Sequence, residues 1–153
     1  CHGFLVPRQS KDQTAQEKQL SKYLNYQSIV DAVDKILKAN SKARICIIGS
    51  ESGYSGSFDD TYAKYKNLLH DYIESTKLRT EHQQLVGLAP TIIEDTKMTQ
   101  SRTDLDVLDN KRKNHPMKRF LQSEEVAKMV YTLLYEQPYI NRTVIRMHGG
   151  NIN

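Results

Sequence analysis

The chain has 153 residues, 38% of them apolar and 26% charged, a balance typical of one globular domain with its own hydrophobic core. The net charge is only +4, and its lysines and arginines are scattered, so no basic stripe indicates nucleic acid as a partner. No apolar run is long enough to cross a bilayer, and we expect no membrane partner either.

The cysteines and histidines indicate neither a disulfide framework nor a metal site. Two cysteines, Cys1 and Cys46, do not make a disulfide framework, so we expect a reducing, cytoplasmic setting. Cys46 lies in the apolar run "ICII" and is interpreted as a small core residue. The histidines lack the spacing of metal ligands, and no metal site is predicted.

The first part of the chain predicts a strand end, a helix and a buried strand. "CHGFLVP" (1–7) is apolar and begins with cysteine rather than methionine, which suggests a piece of a longer protein. Apolar residues at helical spacing predict a helix from about Gln19 to Ala39. The continuous apolar run "RICIIG" (44–49) predicts a strand buried on both faces, as in a parallel sheet.

Helices and strands also alternate in the rest of the chain. A helix is predicted from about Asp59 to Arg79, and "HQQLVGLAP" (82–90) predicts another buried strand. Residues 91–120 are polar and irregular, and their length suggests a functional loop or small subdomain. A helix over about 123–136 and a strand in "TVIRMHGG" (143–150) follow. This alternation predicts an α/β fold with a parallel sheet covered by helices.

The stretch "SGSFDDTYAKYK" (55–66) contains the candidate chemistry. Tyr62 and Lys66 are four residues apart, so a helix places both on one face. A free tyrosine has a pKa of about 10, and a nearby ammonium lowers it toward the range useful for proton transfer. Ser50 follows the strand "RICIIG", at the edge of a parallel sheet where ligands bind, and its hydroxyl is placed to hold a carbonyl oxygen beside Tyr62.

Tyr-x-x-x-Lys alone is a weak signal, because it occurs by chance in many helices and Tyr62 by itself suits a half-buried packing residue. The order of motifs is more specific, and it resembles the short-chain dehydrogenase/reductase family of the classical type. The matching segments are a serine-bearing strand and loop, the Tyr-x-x-x-Lys motif, a strand with its proline loop, a helix and a closing strand: "ICIIGSESGYSG", "YAKYK", "LVGLAPTII", "HPMKRFLQSEEVAKMVYTLL" and "VIRMHGG".

The resemblance implies a Rossmann-like, doubly wound parallel sheet with helices on both faces, forming a single partial domain over 1–153 that lacks the N-terminal strands. It implies hydride transfer between NAD or NADP and a small-molecule alcohol/carbonyl substrate. In this family residues 91–120 would cover the substrate. Helices 19–39 and 59–79 resemble the usual subunit contact, so a homodimer or homotetramer is expected.

The resemblance also implies residue roles. Tyr62 would be the general acid/base, and Lys66 would lower its pKa and bind the nicotinamide ribose. Ser50 would orient the substrate oxygen, and Asn25 would support a water in the proton relay. The nicotinamide end would contact two further residues of the strand and loop at 90–93, namely Pro90 and the backbone of Ile93.

Several positions depart from the family pattern. Thr91 replaces the usual glycine after the proline, and Tyr65 replaces the usual serine before Lys66. The loop before Tyr62 is one residue shorter than usual, so Ser52 is a rival for the role of Ser50. The chain has no glycine-rich turn for a cofactor pyrophosphate, and we expect it to bind the cofactor poorly by itself. The alternative is a non-catalytic Rossmann-like binding or oligomerisation module.

Overall fold

The computed structural model describes residues 14–152, apart from the side chain of Lys18, so the predicted strand end at 1–7 lies outside the described part. Three strands are present in it: β1 (Arg44–Ile48), β2 (Gln84–Pro90) and β3 (Val144–Met147). The α-helices are α1 (Ala15–Ala39), α2 (Ser52–Ser55), α3 (Asp60–Ser75), α4 (Lys97–Gln100), α5 (Leu105–Asn114) and α6 (Ser123–Tyr131). A π-helical turn over Thr132–Glu136 continues α6.

The helix bounds differ from the predictions where local hydrogen bonds decide the ends. α1 begins four residues early because Thr14 and Glu17 form a capping box, each side chain accepting from the other's backbone N–H. α3 stops at Ser75 instead of Arg79, since Thr76 takes an extended conformation and its hydroxyl bonds to the carbonyl of Tyr72. The helix predicted over 123–136 is present as α6 and its π-helical continuation.

The segment at 91–120 is more regular than its sequence predicts. The expectation of an irregular stretch is wrong, because it contains α4 and α5. Glu94 joins it to the following helix: one of its carboxylate oxygens bonds Arg112 at 2.7 Å and the other bonds Gln122 at 2.9 Å. Buried Leu108 and Phe120 give the segment an apolar side of its own.

The strands form a parallel sheet in the order β1-β2-β3, which confirms the predicted parallel arrangement. Alternate residues of β2 face two separate cores. Leu85 and Ala89 pack with Val33 of α1 and Ile73 of α3, whereas Val86 and Leu88 pack with residues of α6 and its continuation. Helices therefore cover both faces of the sheet, as the predicted Rossmann-like class requires.

Two consecutive glutamines at the start of β2 satisfy the carbonyl ends of helices on opposite faces. The amide of Gln83 donates to the carbonyls of Leu37 and Asn40 at the end of α1, both at 2.7 Å. The amide of Gln84 reaches three carbonyls beyond α6, at 2.8–3.0 Å, those of Leu133, Gln137 and Ile140. Both side chains are 2% exposed, so these bonds replace the water that a helix end ordinarily requires.

None of the helices within residues 14–152 combines the length and the apolar character needed to cross a membrane.

We predict that Gln84→Met, which keeps the length of the side chain but removes its N–H donors, lowers the free energy of unfolding by about 2–4 kcal/mol because buried carbonyls lose their partner. Urea unfolding measures this change. Gln19→Met is the matched control, since Gln19 is exposed on α1 and its replacement is expected to change little. Equal effects of the two substitutions would contradict the assigned role of Gln84.

Candidate active site

The loop after β1 places Ser50 at the carboxyl edge of the sheet. The backbone N–H of Gly49 donates to the carbonyl of Leu88 at 2.6 Å, and that of Glu51 donates to Pro90 at 2.9 Å. These bonds continue the pairing of β1 with β2 past the end of the strand. Ser50 therefore has a fixed backbone position beside the end of β2.

Tyr62 stands in the first turn of α3 and faces this loop. Asp59 caps the helix, and one carboxylate oxygen accepts from the backbone N–H of Tyr62 at 3.0 Å. The Tyr62 ring is half-buried, and the Ser50 side chain lies close enough to the tyrosine to oppose the rise in its pKa that burial causes. Ser52 instead donates its backbone N–H to the Ser50 hydroxyl at 3.2 Å. Ser50 therefore stays the predicted partner of Tyr62, with Ser52 as its rival.

Lys66 lies one turn further along α3 and is only 9% exposed. Its ammonium donates to the carbonyl of Ile48 at 3.2 Å and lies 5.7 Å from the centre of the Tyr62 ring. Burial lowers the pKa of Lys66 to about 8, because a charged amine loses solvation there. The group is nevertheless mostly protonated at neutral pH.

The acidity of Tyr62 differs from the expected one. Burial raises the pKa of Tyr62 above its ordinary value, the Ser50 side chain opposes this, and the charge of Asp59 adds to it. The lowering of that pKa by Lys66 stays a prediction, and in this structure the ammonium donates to the Ile48 carbonyl. The tyrosine is therefore a protonated phenol at neutral pH in this structure.

His70 of α3 packs against the loop after β1 and supports it, a role that the sequence did not reveal. Its ring is 1% exposed, stacks on Tyr54 with centroids 4.6 Å apart, and accepts from the backbone N–H of Ser50 at 3.4 Å through Nε2. A Cβ on Gly49 would lie 2.3 Å from Nε2, and one on Gly53 would lie 2.6 Å from Cε1. Both glycines are therefore explained by the ring. Burial lowers the pKa of His70 to about 4, with a contribution from Lys66.

An ion pair between buried Glu51 and exposed Arg146 ties the same loop to β3. The carboxylate of Glu51 accepts from Nε of Arg146 at 3.0 and 3.1 Å, and Nη2 also bonds to it. The guanidinium lies 4.9 Å from the centre of the Tyr54 ring. The loop is thus held from three directions, by β2, by His70 of α3 and by Arg146 of β3.

The other predicted residues are placed less closely together. Pro90 is buried at the end of β2, beside the loop, and Ile93 pairs with Leu121 in an isolated bridge. Asn25 is half-buried on α1 and lines a surface groove with neighbours of its own helix. Among the hydrogen bonds of the described residues, none joins Asn25 to Ser50, Tyr62 or Lys66. Its role stays a prediction.

A second lysine, which the sequence analysis did not predict, lies close to Tyr62. Lys22 of α1 is 4% exposed, pairs with Asp59, and places its ammonium 5.7 Å from the centre of the Tyr62 ring. A signal was available, because Lys22 precedes Ile29 and Val33 by seven and eleven residues. It therefore occupies the core-facing side of the predicted helix, where a lysine is unexpected.

The described residues contain no cluster of three His, Cys, Asp or Glu side chains suited to a metal ion. What they bring together is the Tyr62 ring with the ammonium groups of Lys22 and Lys66 beside it, next to the loop that holds Ser50. Such an arrangement can bind an oxygen atom and exchange a proton with it.

Comparison with known proteins supports the fold. No protein-family model and no curated protein sequence matches the chain. A short-chain dehydrogenase/reductase structure from Brucella melitensis, a glucose/ribitol dehydrogenase, matches with TM-score 0.77 and 19% identity, over 92% of this chain and 58% of that one. A 3-oxoacyl (acyl-carrier-protein) reductase from Agrobacterium tumefaciens C58, with NADP bound, matches with TM-score 0.75 and 22% identity, over 95% and 60%.

A short chain dehydrogenase family protein from Francisella tularensis matches with TM-score 0.74 and 18% identity, over 91% of this chain and 63% of that one. At these identities the likeness shows the fold. The chain has the fold of short-chain dehydrogenase/reductase structures and spans about three-fifths of their length. This confirms the predicted resemblance for the fold, and the partial coverage is consistent with a C-terminal portion.

His70 makes the free energy of unfolding depend on pH. Because its folded pKa of about 4 lies below the ordinary 6.5, the unfolded chain binds more protons between these values, and stability falls as the pH drops from 6.5 to 4. We predict that the free energy of unfolding of His70→Gln falls less between pH 6.5 and 4 than that of the wild type, by a difference on the order of 2–3 kcal/mol. Urea unfolding at a series of pH values tests it. His82→Gln, at an exposed histidine, is the control, and an unchanged slope in His70→Gln would contradict the assignment.

Lys66 is predicted to reduce stability at neutral pH. Its folded pKa of about 8 lies below 10.5, so the stability of the wild type rises with pH between these values. At pH 7 the free energy of unfolding of Lys66→Met should therefore exceed that of the wild type by roughly 1–3 kcal/mol. This difference should shrink toward pH 10, and urea unfolding measures it. Lys64→Met, exposed on the same helix, is the control. A destabilised Lys66→Met at pH 7 would show that the Ile48 bond outweighs the desolvation.

Proposed function

We propose that the chain forms the catalytic part of an NAD(P)-dependent oxidoreductase of the short-chain dehydrogenase type, with Tyr62 as acid/base toward an alcohol/carbonyl substrate. The observation that supports this most is the convergence of Tyr62 and Lys66 of α3 on the carboxyl edge of the sheet, where the Lys66 ammonium bonds the Ile48 carbonyl and lies 5.7 Å from the centre of the Tyr62 ring. The likeness in fold to oxidoreductases, one of them with NADP bound, adds to it.

The protonation state of Tyr62 favours the reductive direction. A phenol whose pKa is raised by burial holds its proton at neutral pH, so it can donate that proton to the oxygen of a carbonyl substrate. Ser50 donates a hydrogen bond to the same oxygen and keeps it within reach of the phenol. Oxidation of an alcohol requires the phenolate, which a higher pH supplies. Reduction at neutral pH is therefore the expected activity.

The residues present suit one end of a nicotinamide cofactor. Lys66 uses one N–H on the Ile48 carbonyl, and its remaining donors suit the hydroxyls of a ribose. Pro90 and the backbone of Ile93, near the same edge, are proposed to contact the nicotinamide. When bound, the cofactor would supply the hydride. The sequence has no glycine-rich turn for the pyrophosphate, so we expect the 153 residues alone to hold either NAD or NADP weakly.

The substrate and the assembly state follow as proposals. The segment 91–120, with α4 and α5, is proposed to cover the substrate, and its exposed apolar side chains are Met98, Leu105, Val107 and Met117. On α1, Leu20, Tyr23 and Leu24 are each more than half exposed, which suits a contact between copies of the chain. A homodimer or homotetramer through α1 and α3 remains our expectation.

The test is a hydride-transfer assay with NADH and NADPH over a panel of carbonyl compounds, using the chain and the longest product of its coding sequence. We predict that Tyr62→Phe lowers kcat by about 10²–10⁴-fold, because it removes the proton donor and keeps the ring. Tyr65→Phe is the matched control: Tyr65 is buried three residues later on α3 and its hydroxyl has no hydrogen-bond partner in the described structure.

Equal activity of Tyr62→Phe and the parent protein would contradict the assigned role. Absence of both activity and cofactor binding in every form would favour the alternative, a non-catalytic module on the same fold.

A further inference from the structure

We propose that Lys22 is a positioning residue for Tyr62: through Asp59 it fixes the first turn of α3, and its ammonium is a second cation beside the tyrosine ring. This inference rests on the proposed function for its meaning in catalysis. The contacts that support it do not depend on that function.

The first observation is that the ammonium group of Lys22 is buried at a position where packing alone does not require a charge. Lys22 is 4% exposed, on a side of α1 whose later positions, Val33 and Leu37, are buried and apolar. Burying an ammonium is costly unless a partner compensates it. A leucine or methionine would satisfy packing at this position without that cost. The lysine therefore indicates a use for the charge at this place.

The second observation is the path from that charge to Tyr62. Asp59 uses one carboxylate oxygen for Lys22 and the other for the backbone N–H of Tyr62. Burial would raise the pKa of Asp59, but the hydrogen bonds from Lys22 and from the first turn of α3 lower it overall. One carboxylate thus links α1 to the backbone of the tyrosine, and Lys22 keeps that carboxylate charged and in place.

The third observation is the symmetry of the two ammonium groups. Lys22 and Lys66 each lie 5.7 Å from the centre of the Tyr62 ring, and they come from different helices. Lys66 is directed to the Ile48 carbonyl, whereas Lys22 is directed to Asp59. The polar groups that face Tyr62 are then Lys22 from α1, Asp59, Tyr65 and Lys66 from α3 and its cap, and Ser50 from the loop after β1.

Opposite charges at Lys22 and Asp59 make the proposal testable by sign. Lys22→Met leaves the Asp59 carboxylate unpaired, and because that charge already raises the pKa of Tyr62, the pKa is expected to rise further. Asp59→Asn removes the anion and leaves the Lys22 ammonium, so the pKa of Tyr62 is expected to fall. Lys22→Arg keeps the charge and is expected to restore most of the wild-type value.

The measurement is the titration of ¹³C-labelled tyrosine rings by NMR in the full chain, with Tyr62→Phe assigning the signal. The backbone amide signal of Tyr62 is recorded in the same samples, since a loosened helix cap shifts it. Lys35→Met is the matched control, because Lys35 is exposed on the same helix and its loss changes net charge equally. It is expected to leave both signals in place.

Opposite pKa changes in Lys22→Met and Asp59→Asn, with recovery in Lys22→Arg, would support the proposal. A Tyr62 pKa and amide signal unmoved by Lys22→Met would overturn it, as would shifts of the same sign in both variants. If Lys22→Met does not fold, Lys22→Gln, which also removes the cation, takes its place under the same criterion. Correct shifts in a protein with no reductase activity would contradict the proposed function and leave the role of Lys22 intact.

Discussion

The complete burial of β2 is the constraint on which the rest of the structure depends. All seven of its residues are buried, so each face must be covered by helices and each polar group must find a partner within the protein. At its start, the amide N–H groups of Gln83 and Gln84 bind the carbonyl ends of helices on both faces. At its other end, the carbonyls of Leu88 and Pro90 hold the loop that presents Ser50.

The candidate site is built at the cost of stability. Within a small region the fold buries two lysines, a neutral histidine and the Glu51 carboxylate, each of which an apolar side chain could replace in packing terms alone. Two of these groups have depressed pKa values, of about 8 for Lys66 and about 4 for His70. Perturbed groups of this kind cluster where proteins perform chemistry, which agrees with the proposed acid/base role of Tyr62.

Much of the architecture was predictable because it depends on local periodicity. The buried strands at 44–48 and 84–90 and the helices around them follow from apolar runs and helical spacing. The segment 91–120 was missed as helical because α5 has only one buried apolar residue, Leu108, and its remaining surface is polar. Helix ends were also misplaced, since caps such as Thr14 and Thr76 act through hydrogen bonds that periodicity does not register.

The sequence by itself determined the α/β class, the parallel sheet and the pairing of Tyr62 with Lys66 on one helix face, because each depends on the spacing of neighbours along the chain. Only the tertiary structure decided why Gly49 and Gly53 flank Ser50, and that Lys22 lies beside Tyr62. It also reversed the expected acidity of the tyrosine. Burial and the direction of an ammonium group depend on residues distant in sequence, such as Lys22 and Ile48, and spacing within α3 does not encode them.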